Sequence, residues 1–229
     1  MTTLSRKLAA EFMGTMFLLA AVVGSGIMGT MLSAGNDGIA LLANAASTGA
    51  ALYVLIVIFS PVSGAHFNPV VTLAMHLRGG LGRTEASAYV GVQLVAAFVG
   101  VMLAHAMFGL ALVQTGAHVR SGWPQWISEA VATFGLLLTI LVGVRHRPRA
   151  VPALVGNYIF AAYWFTASTS FANPAVTLAR AFTSTFAGIR PADVVGFVAA
   201  QTAGLAVALL ALRFVLPESR SHAATAVSP

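Results

Sequence analysis

Two short stretches carry the most pointed chemistry in this sequence. One reads Gly64-Ala65-His66-Phe67-Asn68-Pro69-Val70-Val71-Thr72-Leu73; the other, about a hundred residues later, reads Ser170-Phe171-Ala172-Asn173-Pro174-Ala175-Val176-Thr177-Leu178. Each sets Asn-Pro before an apolar run. Asparagine is a strong N-cap, because its side-chain oxygen accepts from the free N–H groups of a first helical turn. Proline suits the next position, where its missing N–H would be unpaired anyway. Asn-Pro therefore starts a helix sharply. With the oxygen used in capping, each asparagine keeps an amide NH2 as donor. Two such donors offer hydrogen bonds to the oxygen of a passing solute, which is binding chemistry rather than proton transfer or nucleophilic attack. Glu11 and Glu129 are the other conspicuous polar groups, each set in an apolar run and each four residues before a threonine.

The elements that must hold these residues are membrane spans. The 229 residues are 58% hydrophobic and 8% charged, against about 25% charged in a soluble domain. So little polar surface cannot cover a fold in water. The net charge of +6 is scattered in short clusters between apolar segments, which argues for membrane topology and against nucleic acid. There is no cysteine, so disulfides, thiol catalysis and cysteine-ligated metals are excluded. The histidines show no metal spacing, and no cofactor is implied.

Six runs approach the roughly 20 residues that a span needs: about 8–30, 39–60, 86–111, 127–144, 151–167 and 193–215. Two shorter pieces, 68–77 and 173–184, begin at the Asn-Pro pairs. At about 1.5 Å per residue each rises only about 15–18 Å, half a hydrocarbon core. They are half-helices. The chain also repeats: Glu11 with Thr15 matches Glu129 with Thr133, the Asn-Pro stretches match, and Gln93 matches Gln201. Three spans per copy is an odd number, so the second copy enters from the opposite side. The expected organisation is an all-α membrane protein of two inverted repeats, 1–115 and 124–216, followed by a disordered cytoplasmic tail, 217–229. With both termini cytoplasmic, nine of the twelve basic residues lie inside and only Arg120, Arg180 and Arg190 outside, which satisfies the positive-inside rule. Inverted half-helices bring their N-termini together near the midplane, where irregular backbone is tolerated only if buried or lining a watery path.

Ser63-Gly64-Ala65-His66-Phe67-Asn68-Pro69, followed by Asn173-Pro174-Ala175, resembles the major intrinsic protein family, the aquaporins and aquaglyceroporins. The resemblance covers about residues 8–216. It implies six spans, two re-entrant half-helices, a homotetramer in the bilayer, and one pore per subunit passing water and small neutral solutes. Asn68, Pro69, Val70, Asn173, Pro174 and Ala175 become the pore midplane, with Val70 where the family usually has alanine. The family's filter arginine falls three residues after the second asparagine; here that residue is Val176. Carried over by spacing, the filter is Thr48, about Ala161, Ser170 and Val176, a ring without charge or aromatics and wider than a water filter. This ring, with the stretch from Ala161 to Ile189, looks like a bacterial subgroup encoded in arsenic-resistance operons. That resemblance implies an inner-membrane channel for glycerol-sized solutes and neutral metalloids or methylated arsenicals.

Glu11 and Glu129 are expected to brace the re-entrant loops by accepting from backbone N–H groups, as the family resemblance supports. His66 either faces the inner vestibule or bonds within its loop. Arg180, one turn beyond Val176 on the same face, either lends charge to the outer vestibule or is a helix-end arginine snorkelling to the interface. Gln93 and Gln201 are expected to make helix contacts. A water-selective pore is the nearest alternative. Inverted repeats would also permit a coupled transporter, but the acidic residues leave no midplane ion site. No nucleophile–base pair or metal cluster points to an enzyme.

Overall fold

The structure, a computed structural model, describes residues 2–216; the expected tail, 217–229, lies outside them. Eight α-helices form among the described residues: α1 (Leu4–Leu32), α2 (Asp37–Ser63), α3 (Pro69–Leu77), α4 (Arg83–Met107), α5 (Trp123–His146), α6 (Val151–Phe165), α7 (Pro174–Arg180) and α8 (Val194–Val215). Five of them are long and apolar enough to cross a membrane. The sixth, α6, has only 15 residues, but a 3-10 turn at Pro148–Ala150 leads directly into it. The two short helices, α3 and α7, have nine and seven residues.

Small residues set the packing. Helix α1 lies against α2 and α4, α5 lies against α6 and α8, and α2 against α6 joins the two groups. In α4, a Cβ added at Gly100 would stand 2.3 Å from the Met16 carbonyl oxygen of α1. In α8, one at Gly204 would stand 2.4 Å from the Ala130 carbonyl oxygen of α5. Both helix pairs therefore touch backbone to backbone, the close approach that small residues permit between helices in lipid. The outward surface is apolar instead of charged: Val57, Val95, Val195 and Phe214 are all exposed. A water-facing surface would seldom expose so many large apolar side chains.

Both half-helices insert between these groups. Helix α3 touches α4, α7 and α8, and α7 touches α3, α4 and α8. The second is shorter than the 173–184 read from sequence, because long-range bonds take over its last carbonyls. Gly116 N donates to Ala181 O at 2.8 Å, Gln114 N to Phe182 O at 3.1 Å, and Ile189 N to Arg180 O at 3.1 Å. The chain after Arg180 is thus tied to the segment between α4 and α5, and the helix stops there.

Candidate functional site: a cavity between two half-helix tips

Each half-helix begins as the Asn-Pro chemistry requires. Asn68 and Asn173 sit in extended backbone with φ −157°. Asn68 Oδ1 accepts from Val70 N at 3.0 Å. Asn173 Oδ1 accepts from Ala175 N at 3.0 Å and Val176 N at 3.3 Å. The two asparagines then reach across to each other's loop. Asn68 Nδ2 donates to Ala172 O and Asn173 Nδ2 to Phe67 O, both at 2.8 Å. Each amide has two N–H groups, so one is spent on this cross-tie and one is left for a solute. Capping alone would leave the whole NH2 free; the cross-tie takes half of it.

The loops leading into the half-helices are strained in the same way. Ala65 and Phe67 in the first, and Thr169, Ser170 and Ala172 in the second, have φ between 47° and 58°. Non-glycine residues rarely adopt this left-handed region, and they persist there only when their surroundings hold them. The two buried glutamates do the holding. Glu11 accepts from Ser63 Oγ (2.7 Å), His66 N (2.9 Å), Phe67 N (2.8 Å) and Gln93 Nε2 (2.8 Å). Glu129 accepts from Ser168 Oγ (2.6 Å), Phe171 N (2.8 Å), Ala172 N (2.9 Å) and Gln201 Nε2 (2.6 Å). Neither carboxylate is left for proton chemistry. Gln93 and Gln201 do more than pack helices. Each bridges its glutamate to a half-helix threonine, Thr72 at 3.0 Å and Thr177 at 2.8 Å. Sequence reasoning had paired the glutamines with each other across the repeat but missed that each completes a carboxylate.

Where the tips meet lies a cavity of about 60 Å³, room for a few waters. Its polar lining includes His66, Asn68, Asn173, Thr48 and Ser170; Leu18, Val22, Ile56, Ile140 and Ile159 contribute apolar surface. Pro69, Val70, Pro174 and Ala175 are not in that lining. Val70 and Ala175 are buried in packing behind it. His66 does both things expected of it: it lines the cavity, and its Nδ1 lies 3.1 Å from Thr72 Oγ1.

The proposed filter is partly redrawn. Thr48, Ser170 and Val176 line the cavity, but Ala161 does not; it is exposed on the far side of α6. Tyr163 lines it instead, 3% exposed, with its hydroxyl 3.3 Å from Thr48 Oγ1. Two residues along a helix is a rotation of about 200°, so a small error in counting back through the preceding loop turns the position outward. The approach of α2 to α6 that sets this pair depends on two glycines. A Cβ at Gly49 would lie 2.7 Å from Gly156 O, and one at Gly156 2.6 Å from Gly49 O. Pairing these two glycines needs the fold.

The ring also has charge and aromatics close by, contrary to the expectation from spacing. Phe171 and Arg180 line the same cavity. Arg180 is 1% exposed, so it does not snorkel. Its Nε donates to Ala187 O, and its guanidinium carbon lies 3.4 Å from the Phe171 ring centroid. Arg120 approaches the same ring at 5.0 Å. Its Nε donates to Gly188 O at 2.9 Å and its Nη1 to Ser168 O at 3.2 Å. Burial lowers the affinity of Arg120 for its proton, with Glu129 and Tyr163 opposing. No groups of His, Asp or Glu suited to a metal ion occur among the described residues.

A helical bundle in which two capped half-helices meet tip to tip around a narrow cavity is a membrane channel in architecture. The major intrinsic protein family model matches residues 1–170, and the chain belongs to that family. It is 55% identical over 217 residues to the aquaglyceroporin AqpS of Rhizobium meliloti, covering 95% of this chain and 93% of that protein. It is 29% identical over 190 residues to a probable TIP-type aquaporin of Medicago truncatula, covering 76% and 74%. The X-ray structure of the aquaglyceroporin from Plasmodium falciparum superposes with a TM-score of 0.74 at 18% identity, covering 94% of this chain and 98% of that one. The protein is therefore an integral membrane channel for water and small solutes, from a family of passive transporters without enzymatic activity.

Proposed function

We propose that this channel is aquaglyceroporin-like: a passive path for small uncharged solutes up to the size of glycerol, including neutral metalloids or methylated arsenicals. One observation carries the reading. The cross-tied Asn68–Asn173 pair leaves one N–H on each side of a cavity that is otherwise largely apolar. A neutral solute can exchange water for those donors, whereas a cation meets two half-helix N-termini, each worth roughly half a positive charge. Residue 176 itself is a short, uncharged valine where the family carries its filter arginine, which favours larger solutes. The 55% identity to a protein named as an aquaglyceroporin supports the same choice. The arsenical substrates rest on the resemblance of the filter stretch to the subgroup from arsenic-resistance operons.

The channel is a homotetramer in a bacterial inner membrane, with both termini and the Arg145–Arg149 loop cytoplasmic. The halves 1–115 and 124–216 act as inverted repeats, each giving one half-helix and one glutamate brace. Stopped-flow light scattering on proteoliposomes tests the function with water, glycerol, urea, arsenite and methylated arsenicals. Glycerol and at least one arsenical should pass faster than through empty liposomes. Water alone passing would select a water-selective pore. Flux that saturates and follows an imposed proton or sodium gradient would select a coupled transporter.

A further inference from the structure

The filter has two buried donors that the protein itself does not use. Arg180 Nη1 and Ser170 Oγ are enclosed, have no hydrogen-bond partner, and belong to residues lining the cavity. Buried polar groups are nearly always paired, so each unpaired one calls for an explanation. Arg180 has no carboxylate either: the salt bridges among the described residues are Lys7–Glu85 and Arg190–Asp193. A buried guanidinium without an anion costs stability. The neighbouring arginine shows the structural alternative. Arg120 commits its Nε and Nη1 to the carbonyls of Gly188 and Ser168, and so ties loops together. Arg180 commits Nε to Ala187 O and leaves Nη1 unpaired. Answering the dipole at the end of α7 would need a charge near that terminus, but neither burial nor an unpaired donor on a cavity-lining residue.

Geometry explains how residue 180 comes to act at the level of residue 176. The two lie on one face of α7, about 5.4 Å apart along its axis. Helical side chains lean toward the N-terminus, so the long arginine chain runs back over the valine. The Phe171 ring at 3.4 Å and the Ala187 carbonyl fix its head there. A short side chain at 176 leaves the room it occupies.

We propose that Arg180 is the charged specificity-determining residue of this filter, and that Arg180 Nη1 and Ser170 Oγ form a two-donor station for one oxygen of a permeating hydroxylated or oxo solute. The inference rests on the channel reading above and names the group that selects its solutes. Apolar residues supply much of the rest of the cavity wall, so a glycerol hydroxyl at this level needs those donors. Water is smaller and keeps hydrogen bonds to the waters before and after it. The donors thus favour glycerol over its cost of dehydration, while the charge repels cations.

The test uses the full chain in proteoliposomes and reads the glycerol-to-water permeability ratio together with sodium leak. In Arg180→Leu the ratio should fall about tenfold, as expected for loss of a charge-assisted hydrogen bond, and sodium leak should rise. Arg180→Lys should keep sodium out, because the charge remains, yet lose about threefold in the ratio, because an ammonium is a point donor without the planar fork. Ser170→Ala removes a hydroxyl that bonds nothing in the protein, so it should fold, and should lower the ratio about threefold with no sodium leak. If Arg180→Leu does not fold, the lysine and alanine variants decide. Ratios within twofold of wild type in the folded variants would overturn the station. A wild-type protein passing neither water nor glycerol would instead overturn the channel reading, and the station with it.

Discussion

Replacing Glu129 by glutamine is the sharpest probe of how the second half-helix is held. The carboxylate takes four donors, two on each oxygen: Ser168 Oγ and Phe171 N on Oε1, Ala172 N and Gln201 Nε2 on Oε2. Glutamine keeps one oxygen and puts an NH2 where the other was. Two of the four donors then lose their acceptor and face another donor. A buried donor left unpaired costs about 1–3 kcal/mol, so two cost roughly 2–6 kcal/mol. The loss falls on a loop already held at positive φ by Ser170 and Ala172, which has little freedom to relax toward water. For a chain of this size 1 kcal/mol moves the melting temperature by about 2–4 °C. Thermal unfolding of the detergent-solubilised variant should therefore begin roughly 5–20 °C lower. Glycerol flux measured below that temperature should fall as well, because Ala172 O also anchors the Asn68 amide. The double variant Glu129→Gln, Gln201→Glu returns a carboxylate to the cluster and should recover part of the loss. A single variant that melts within about 2 °C of wild type would refute the brace.

The remaining predictions concern the pore and its outer loop. Asn173→Leu removes both a helix cap and the cross-tie to Phe67 O, so glycerol flux should drop at least tenfold while protein remains in the membrane; unchanged flux would remove the asparagines from the path. Val176→Arg places a second guanidinium one turn before Arg180, so glycerol and methylated arsenicals should lose far more permeability than water in the stopped-flow panel. Gly156→Val drives a side chain against Gly49 O; overpacking of this kind costs about 1–3 kcal/mol, seen as a lower melting temperature and a changed ratio of glycerol to water as Thr48 moves from Tyr163. Although the His118 side chain is exposed, partial desolvation, then the charges of Arg120 and Arg180, hold it below the ordinary histidine value, with Asp37 opposing. A histidine depressed in the fold binds its proton more readily when unfolded. Stability should therefore be level above the ordinary value near pH 6.5 and fall as pH drops from there through the depressed value; His118→Gln should flatten melting temperature against pH in that window.

Much of this molecule was legible in the sequence because its main signals are local. A run of about 20 apolar residues declares a span without reference to any partner. Asn-Pro declares a helix start because capping and the missing proline N–H act within one turn. Two half-length runs, each behind such a start, mark the two short helices. The glutamates were legible too, since a carboxylate in an apolar run must find donors and the re-entrant loops offer free backbone N–H groups, although these lie 42 to 56 residues along the chain.

What the tertiary structure decided was everything that depends on rotation, reach or long-range backbone bonding. Ala161 and Tyr163 differ by two residues in sequence and by opposite faces of α6 in space; their phase is set by how α6 docks on α2 through Gly49 and Gly156. Helix α7 ends at Arg180 because carbonyls at its end are taken by residues 114, 116 and 189, partners 9 or more positions away in the chain. A guanidinium lines the cavity from residue 180, although 176 is an uncharged valine, because the long side chain is clamped by Phe171 and Ala187. Sequence spacing locates a Cα on a helix. Which atom of that residue reaches the cavity is settled only when its neighbours have closed around it.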